Sequence, residues 1–247
     1  MVYGFLSAHY FSKTFTKPSE NEVVFYCDRI SKNEGPVLEA MCGAGRLLIP
    51  LLEAGYNIEG LDNSSTMLKL CRAILKENNL NTILYEQNML NLKLDKKYSA
   101  IIVAMNSFQH FVTDNEVSNI LQQFKNHLMP EGKLFIEMYC PFQGMEGPTQ
   151  IKHMNQITVG KDQVLEKKMI IHLNYLNHTY VTHNKYRLYQ NGRIVEKEEE
   201  RFTLRWYQPG EFETLLLKAG FSSSQCIETR FNTNPDGMVY IALSRSS

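Results

Sequence analysis

A glycine-containing turn between two apolar segments constrains this chain more than any other feature. Residues 37–46 read VLEAMCGAGR, so a short apolar run ends near an acidic residue and is followed by two glycines. A second run, residues 56–61, is followed by Asp62. Glycine lets the backbone approach a ligand, and a carboxylate at the end of the second strand can bind ribose hydroxyls. The pattern predicts a strand-loop-helix-strand unit that binds a nucleoside-containing cofactor.

Composition limits the other possibilities. A length of 247 residues fits one α/β domain with an insertion, or at most two small domains. The 26 acidic and 26 basic residues balance, which argues against nucleic acid or an anionic membrane as partner. The five cysteines include no C-x-x-C pair, so we expect reduced thiols and no metal site. Without a signal peptide or a transmembrane segment, the expected location is cytoplasmic.

The order of predicted elements defines a fold class. Apolar runs followed by amphipathic stretches alternate over the first 140 residues, which indicates a doubly wound parallel sheet. The predicted parallel strands lie at about residues 37–41, 57–61, 82–86, 99–105 and 133–139. Two further strands, at about 224–230 and 238–244, complete a mostly parallel, Rossmann-like sheet of seven strands.

The pattern changes after the fifth strand. Residues 150–207 alternate with period two and contain the hairpin signal Asn191-Gly192. This segment is predicted to be an antiparallel β insertion of three or four strands. We therefore expect a single α/β domain over residues 1–247 that includes the insertion at residues 150–207.

Two common phosphate-binding motifs are disfavoured. A Walker A loop, G-x-x-x-x-G-K-[ST], is absent. A dinucleotide fingerprint needs a third glycine, and its position is occupied by Leu48.

A third interpretation agrees with the wider sequence. The motif Glu39-x-x-Cys42-Gly43-x-Gly45-Arg46 and the segments 60–68, 85–89, 128–134 and 205–221 resemble, in order, the motifs of class I S-adenosylmethionine-dependent methyltransferases. The resemblance covers nearly the whole chain. It implies S-adenosylmethionine as cofactor.

The resemblance also implies residue roles. Gly43 and Gly45 would line the methionine part with Glu39 beside it, and Asp62 would take the ribose hydroxyls. Asp62 as a helix cap is the alternative. The implied cofactor-binding set is Glu39, Gly43, Gly45, Asp62, Asn63, Asn88, Met89 and Asn106.

The chain departs from the family pattern at two positions. Met41 stands where the family often has glycine, which would reshape the loop. Asn88 stands where aspartate is commoner; with Met89 it would flank the adenine, and an ordinary loop role is the alternative. Arg46 is expected to support the start of the helix or to face solvent.

Methyl transfer from a sulfonium is an in-line displacement, which needs alignment more than acid-base catalysis. In the family, residues 106–111 after the fourth strand would face the reaction, which makes His110 the first acid-base candidate. Tyr10, in an aromatic amino-terminal segment predicted to close over the site, and Tyr139, at the end of the fifth strand, are further candidates. Packing is the alternative role for all three.

The acceptor is harder to predict. The Asn-Pro-Pro-aromatic signature of amino-methylating nucleic-acid enzymes is absent after the fourth strand. The insertion resembles that of glycine-type and amino-sugar N-methyltransferases, which implies that it forms a roof over the acceptor site or a dimer contact. We therefore expect a small-molecule N or O acceptor and a possible homodimer. The alternative is a non-catalytic cofactor-binding subunit that acts through a protein partner.

Overall fold

The computed structural model of the protein describes residues 3–139, 150–208, 210–229, 231 and 237–244. Its α-helices are α1 (Phe5–Thr14), α2 (Glu20–Cys27), α3 (Leu48–Glu53), α4 (Ser65–Glu77), α5 (Asp114–His127) and α6 (Glu211–Lys218). Its strands are β1 (Val37–Ala40), β2 (Ile58–Asp62), β3 (Leu84–Glu86), β4 (Tyr98–Val103), β5 (Leu128–Tyr139), β6 (Gln150–Gly160), β7 (Gln163–Asn174), β8 (Thr179–Gln190), β9 (Arg193–Arg205), β10 (Ser223–Thr229) and β11 (Gly237–Leu243). Short 3-10 turns cover Met89–Asn91 and Ser107–His110.

The main sheet has seven strands in the order β10-β11-β5-β4-β1-β2-β3. Strands β1 to β5 pair in parallel, and β11 pairs antiparallel with β5 and β10. The strand order reverses between β1 and β4, and ligands of doubly wound folds bind outside the carboxyl ends of strands at such a reversal. The predicted fold class is confirmed, and this edge of the sheet positions the site.

Apolar side chains fix the central strands between two layers of helices. All residues of β1 and β2 are buried, as expected for parallel strands covered on both faces. One apolar cluster forms where α5 and α6 pack on the sheet, and a second where α2, α3 and α4 pack on the other face. The two clusters hold the strand ends, and therefore the loops that follow them, in fixed positions.

The antiparallel insertion forms a second sheet of four strands in the order β6-β7-β8-β9. The predicted turn at Asn191-Gly192 joins β8 to β9, and both residues have positive φ, at 48° and 74°. This conformation is the one that Asn-Gly hairpin turns adopt.

Two boundaries depend on irregular backbone. Helix α3 begins at Leu48, because residues 45–47 remain in the glycine turn. Strand β5 begins at Leu128 and not near the predicted residue 133, because the turn-like sequence Pro130-Glu131-Gly132 is an irregularity within the strand, where the pairing with β4 shifts register.

Helix α1 was not predicted. Its N-cap, Gly4, supplies no side-chain hydrogen bond. Instead, Glu198 on β9 accepts hydrogen bonds from the backbone N–H groups of Leu6 (2.9 Å) and Ser7 (2.8 Å), and Glu200 accepts one from that of Gly4 (3.2 Å). These acceptors lie about 190 positions away along the chain, so the local sequence carries no capping signal.

Candidate active site

A cavity of about 630 Å³ opens at the carboxyl ends of β1, β2 and β4, within the size range of small-molecule sites. Its floor is the glycine turn after β1, and α1, α2 and the segment between them supply further walls. Five residues of the predicted cofactor-binding set line it: Glu39, Gly43, Gly45, Asp62 and Asn63. The topology therefore brings together the residues that the sequence motif places far apart in the chain.

The two glycines of the turn serve different purposes. Gly43 has a φ of 56°, and a Cβ placed there would meet no atom within 4 Å, so its backbone faces open cavity. Gly45 has a φ of 86°, and its Cβ would lie 2.7 Å from Sγ of Cys71 on α4. Met41, where the family often has glycine, also has positive φ, at 62°. The departure leaves the left-handed turn intact at some cost in backbone strain.

Asp62 closes the turn from β2. Its Oδ2 accepts a hydrogen bond from the backbone N–H of Gly43 (2.8 Å), and its Oδ1 accepts one from that of Ser64 (2.8 Å). Burial raises the pKa of Asp62, while these two hydrogen bonds act in the opposite direction. The cap of α4 is Ser64, whose hydroxyl accepts from the N–H of Met67. Each Asp62 oxygen keeps a lone pair for a ligand hydroxyl.

Glu39, in β1, is a buried carboxylate with an unsatisfied oxygen. The residue is 4% exposed, and its Oε2 has no hydrogen-bond partner among the described residues. Burial raises its pKa to about 8, against the opposing charge of Arg46. An unpaired buried carboxylate at a cavity wall is suited to a ligand ammonium group.

Arg46 does not face solvent as one prediction proposed. Its guanidinium makes a two-pronged ion pair with Glu22 on α2, with N–O distances of 2.8 and 2.6 Å. The Arg46 side chain is 10% exposed and that of Glu22 fully buried. The pair joins the glycine turn to α2. Local sequence shows Glu22 only as the residue three positions after Ser19, the N-cap of α2, and carries no signal for a partner 24 positions away.

Three predicted cofactor residues, Asn88, Met89 and Asn106, are not on the lining of the cavity. Asn88 caps the short turn after β3, its Oδ1 accepting from the N–H of Leu90 (2.9 Å), and Met89 is buried next to it. Asn106 follows β4 with a φ of 58°, and its Oδ1 is buried without a partner in the described part of the chain. Its neighbours Met105 and Ser107 do line the cavity.

The three acid-base candidates are dispersed. His110 packs edge-on against Phe202 of β9 (ring centroids 5.5 Å apart), and burial lowers its pKa to about 4, so it is neutral at pH 7. The backbone of Tyr139 is held by Gln109, whose Oε1 accepts from its N–H (3.0 Å) and whose Nε2 donates to its carbonyl (2.9 Å). Neither residue lines the cavity.

Tyr10 packs away from the cavity. Its hydroxyl accepts from Asn155 (3.0 Å) and its ring lies 5.8 Å from that of Tyr186, both on the second sheet. The aromatic residues of the amino-terminal segment that do line the cavity include Tyr3 and Phe11, which sequence reasoning missed. Without the helix, the face that each aromatic occupies was not predictable.

Two further observations limit the chemistry. Within the described ranges, no three His, Cys, Asp or Glu side chains are grouped as they are in metal sites. No helix there is both long and apolar enough to cross a bilayer.

Comparison with known proteins agrees with this geometry. The methyltransferase domain family matches residues 37–132, from β1 into β5. YqeM of Bacillus subtilis strain 168, which carries a provisional methyltransferase name, is 23% identical over 82% of this chain and 79% of its own length. A dTDP-3-amino-3,6-dideoxy-alpha-D-glucopyranose N,N-dimethyltransferase of Streptomyces fradiae is 28% identical, over 44% of this chain and less than half (41%) of that protein.

A solved structure shares the fold. The amino pentose methyltransferase of Micromonospora echinaspora, in its S-adenosylmethionine-bound form, has a TM-score of 0.73 with 16% identity, over 99% of this chain and 98% of that one. The fold, the cavity and the sequence matches together support a class I S-adenosylmethionine-dependent methyltransferase. The Micromonospora echinaspora structure contains S-adenosylmethionine, the methyl donor that the motif resemblance also implies for this chain.

Proposed function

We propose that this methyltransferase acts on a small-molecule acceptor, at nitrogen or oxygen. Two relatives support a small molecule: the Streptomyces fradiae enzyme acts on an amino sugar and the Micromonospora echinaspora enzyme on an amino pentose, by their names. The observation that carries the proposal is that three features line one cavity: the buried carboxylate of Glu39 with its unsatisfied oxygen, the glycine turn and Asp62.

The residues fit the donor's groups by their chemistry. Glu39 Oε2 would accept from the ammonium of the methionine part, and the open backbone of Gly43 would lie against it. Asp62 would accept from the ribose hydroxyls, with Asn63 beside it. Asn88 and Met89 remain predictions for the adenine end.

The chain contributes chiefly alignment. When bound, the donor would supply a methyl group on a positively charged sulfur. The acceptor lone pair would bond to that carbon as the carbon–sulfur bond breaks, leaving neutral S-adenosylhomocysteine, and the acceptor proton would pass to solvent. Met105 and Asn106 hold the loop after β4 in a left-handed conformation, with φ values of 52° and 58°. The N–H of Met105 donates to Glu137 Oε2 (2.7 Å). Such fixed positioning can lower a barrier by roughly 7–11 kcal/mol.

The second sheet is proposed as the roof of the acceptor site. Strand β9 packs against the turn Ser107–His110 that follows β4, through His110 and Phe202. A dimer contact through the same sheet is the other expectation, and sedimentation of the full chain measures it.

Calorimetry and turnover test the proposal. The full chain should bind S-adenosylmethionine, and Asp62→Ala should weaken binding at least tenfold, or about 1.4 kcal/mol. Asp95→Ala, an exposed aspartate away from the cavity, is the matched control and should bind like the parent. Full affinity in the folded Asp62→Ala variant would refute the ribose assignment.

Turnover is measured by mass spectrometry of metabolite extracts incubated with protein and donor. We expect donor-dependent gains of one methyl on a small molecule. Methylation confined to protein or nucleic acid in the extract would refute the acceptor class.

A further inference from the structure

The face of the second sheet that meets α1 carries a stripe of polar side chains between rows of apolar ones. The stripe consists of Asn184, Tyr186, Glu198 and Glu200. In the pairing of β8 with β9, Asn184 lies opposite Glu200 and Tyr186 opposite Glu198. Residues directly opposite in an antiparallel pair share a face, with Cβ atoms about 4.5–5.5 Å apart. Apolar pairs flank the stripe, such as Leu165 with Leu188 between β7 and β8. Polar residues at the centre of a buried face need partners there.

Two acceptor atoms in this stripe lack them. Asn184 is 3% exposed and its Oδ1 is buried without a partner among the described residues, and Oε2 of Glu200 is in the same condition. The other Glu200 oxygen is occupied by the N–H of Gly4 and the hydroxyl of Ser7. A buried acceptor without a hydrogen bond has lost its water and gained nothing in return, which destabilises the fold. Two such atoms on opposed residues suit a group with several N–H donors.

A cation lies next to the stripe. Lys167 lies on β7, opposite Tyr186 of β8. Its Nζ is 4.7 Å from the ring centre of Phe11, 5.3 Å from that of Tyr10 and 5.7 Å from that of Tyr186. Across the described ranges it makes no hydrogen bond or ion pair, Glu200 included. Burial lowers its pKa to about 8, so it is mostly protonated at pH 7. Aromatic rings stabilise such a cation but leave its donors unused.

The stripe adjoins the methyl-donor cavity. Tyr3 and Phe11 line that cavity, and their rings are 5.1 Å apart. Tyr3 packs on Phe202 (6.2 Å), which packs in turn on His110 beyond the end of β4. Burial raises the pKa of Tyr3, and the charges of Asp62 and Glu200 add to this effect. Tyr3 therefore lies at the donor cavity with Asp62 and near enough to Glu200 of the stripe to be influenced by its charge.

We propose that Glu200, Asn184 and Lys167 form the acceptor subsite, and that the acceptor is an amine carrying an anionic group. Glu200 Oε2 and Asn184 Oδ1 receive the N–H groups of the acceptor, and Lys167 pairs with its anion. Such a ligand neutralises both the carboxylate of Glu200 and the ammonium of Lys167, which do not form an ion pair with each other. This inference rests on the proposed methyl transfer and selects nitrogen over oxygen.

Calorimetry on the full chain saturated with S-adenosylhomocysteine tests it. Two sets of probes are used. The first is glycine, methylamine and acetate, and the second is γ-aminobutyrate, butylamine and butyrate. In each set the amino acid is compared with one analogue that lacks the carboxylate and one that lacks the amine. In at least one set, the amino acid should bind tenfold or more tightly than either analogue. Cadaverine, a dication, should bind more weakly than butylamine because of Lys167. Equal affinities within both sets, or no binding in either, would overturn the proposal.

Variants separate the two charges. Lys167→Met should remove the advantage of the amino acid over the amine with unchanged affinity for S-adenosylhomocysteine, and Glu200→Gln should weaken amine binding more than it weakens S-adenosylhomocysteine binding. Glu199→Gln and Lys185→Met are matched controls, because these two residues pair with each other on the exposed face of the sheet. Should Glu200→Gln fail to fold, Lys167→Met decides, and an unchanged preference in it counts against the subsite. Loss of S-adenosylhomocysteine binding by the parent would instead refute the donor-site assignment.

Discussion

Glu39 should make both stability and donor binding depend on pH. Its pKa is raised from 4.5 to about 8 in the folded protein, so ionisation opposes folding. The stabilising effect of the neutral acid is complete below pH 4.5 and is lost as pH rises to about 8. Three and a half pH units, at about 1.36 kcal/mol each, set an upper bound of about 5 kcal/mol on this loss.

Glu39→Gln isolates the effect, because glutamine has the shape of the neutral acid and does not titrate. Parent and variant should unfold at the same urea concentration near pH 5, and the variant should be several kcal/mol more stable at pH 8. Burial also raises the pKa of Glu137, to about 7, but that group titrates in both proteins and cancels in the difference. Parallel stability curves for the two proteins across this range would refute the reasoning.

Donor binding should show the opposite trend. An ammonium group binds the ionised Glu39, whose fraction falls about tenfold for each pH unit below its pKa. Affinity measured by calorimetry should therefore fall by about tenfold from pH 7 to pH 6, with release of nearly one proton on binding at pH 7. Glu39→Gln should bind weakly and without this pH dependence. A parent affinity that is flat between pH 6 and 8 would contradict the role given to this carboxylate.

Three other substitutions test the architecture. Gly45→Ala should lower the free energy of unfolding more than Gly43→Ala, because only a Cβ at Gly45 creates a steric clash. Gly43→Ala should mainly lower the affinity for the donor. Denaturant titration measures the first effect and calorimetry the second. Arg46→Met should lower stability by about 3–5 kcal/mol by leaving Glu22 unpaired, and the double variant Arg46→Met/Glu22→Met should recover much of it; equal losses would contradict this. Glu198→Ala should make α1 more sensitive to limited proteolysis, and an unchanged cleavage pattern would argue against its capping role.

Local patterns predicted most of the fold. The parallel strands are continuous apolar runs, and Asn191-Gly192 carries its turn geometry in its own backbone preference, so neither depends on distant residues. The beginning of α1 could not be predicted, because its capping groups are supplied by β9. The bounds of β5 were missed because a turn signal also fits an irregular strand pair.

The site was predictable to the same extent. Glu39 and Asp62 lie at the carboxyl ends of β1 and β2 and Gly43 follows β1, so parallel topology alone brings them to one cavity. Arg46 and Tyr10 were misplaced because their partners, on α2 and on the second sheet, are brought near only by the tertiary fold.

Helix α1 contributes to both ligand environments. Tyr3, just before it, and Phe11 within it line the donor cavity, while Glu198 and Glu200 hold its amino end on the second sheet. If either ligand orders this helix on binding, the other ligand no longer has to supply that free energy. Thermodynamic linkage requires the two ligands to affect each other's affinity equally. We expect acceptor and donor to bind with positive cooperativity, each raising the affinity of the other by the same factor. Release of the methylated product would then lower the affinity for S-adenosylhomocysteine, so that the two products leave in a defined order.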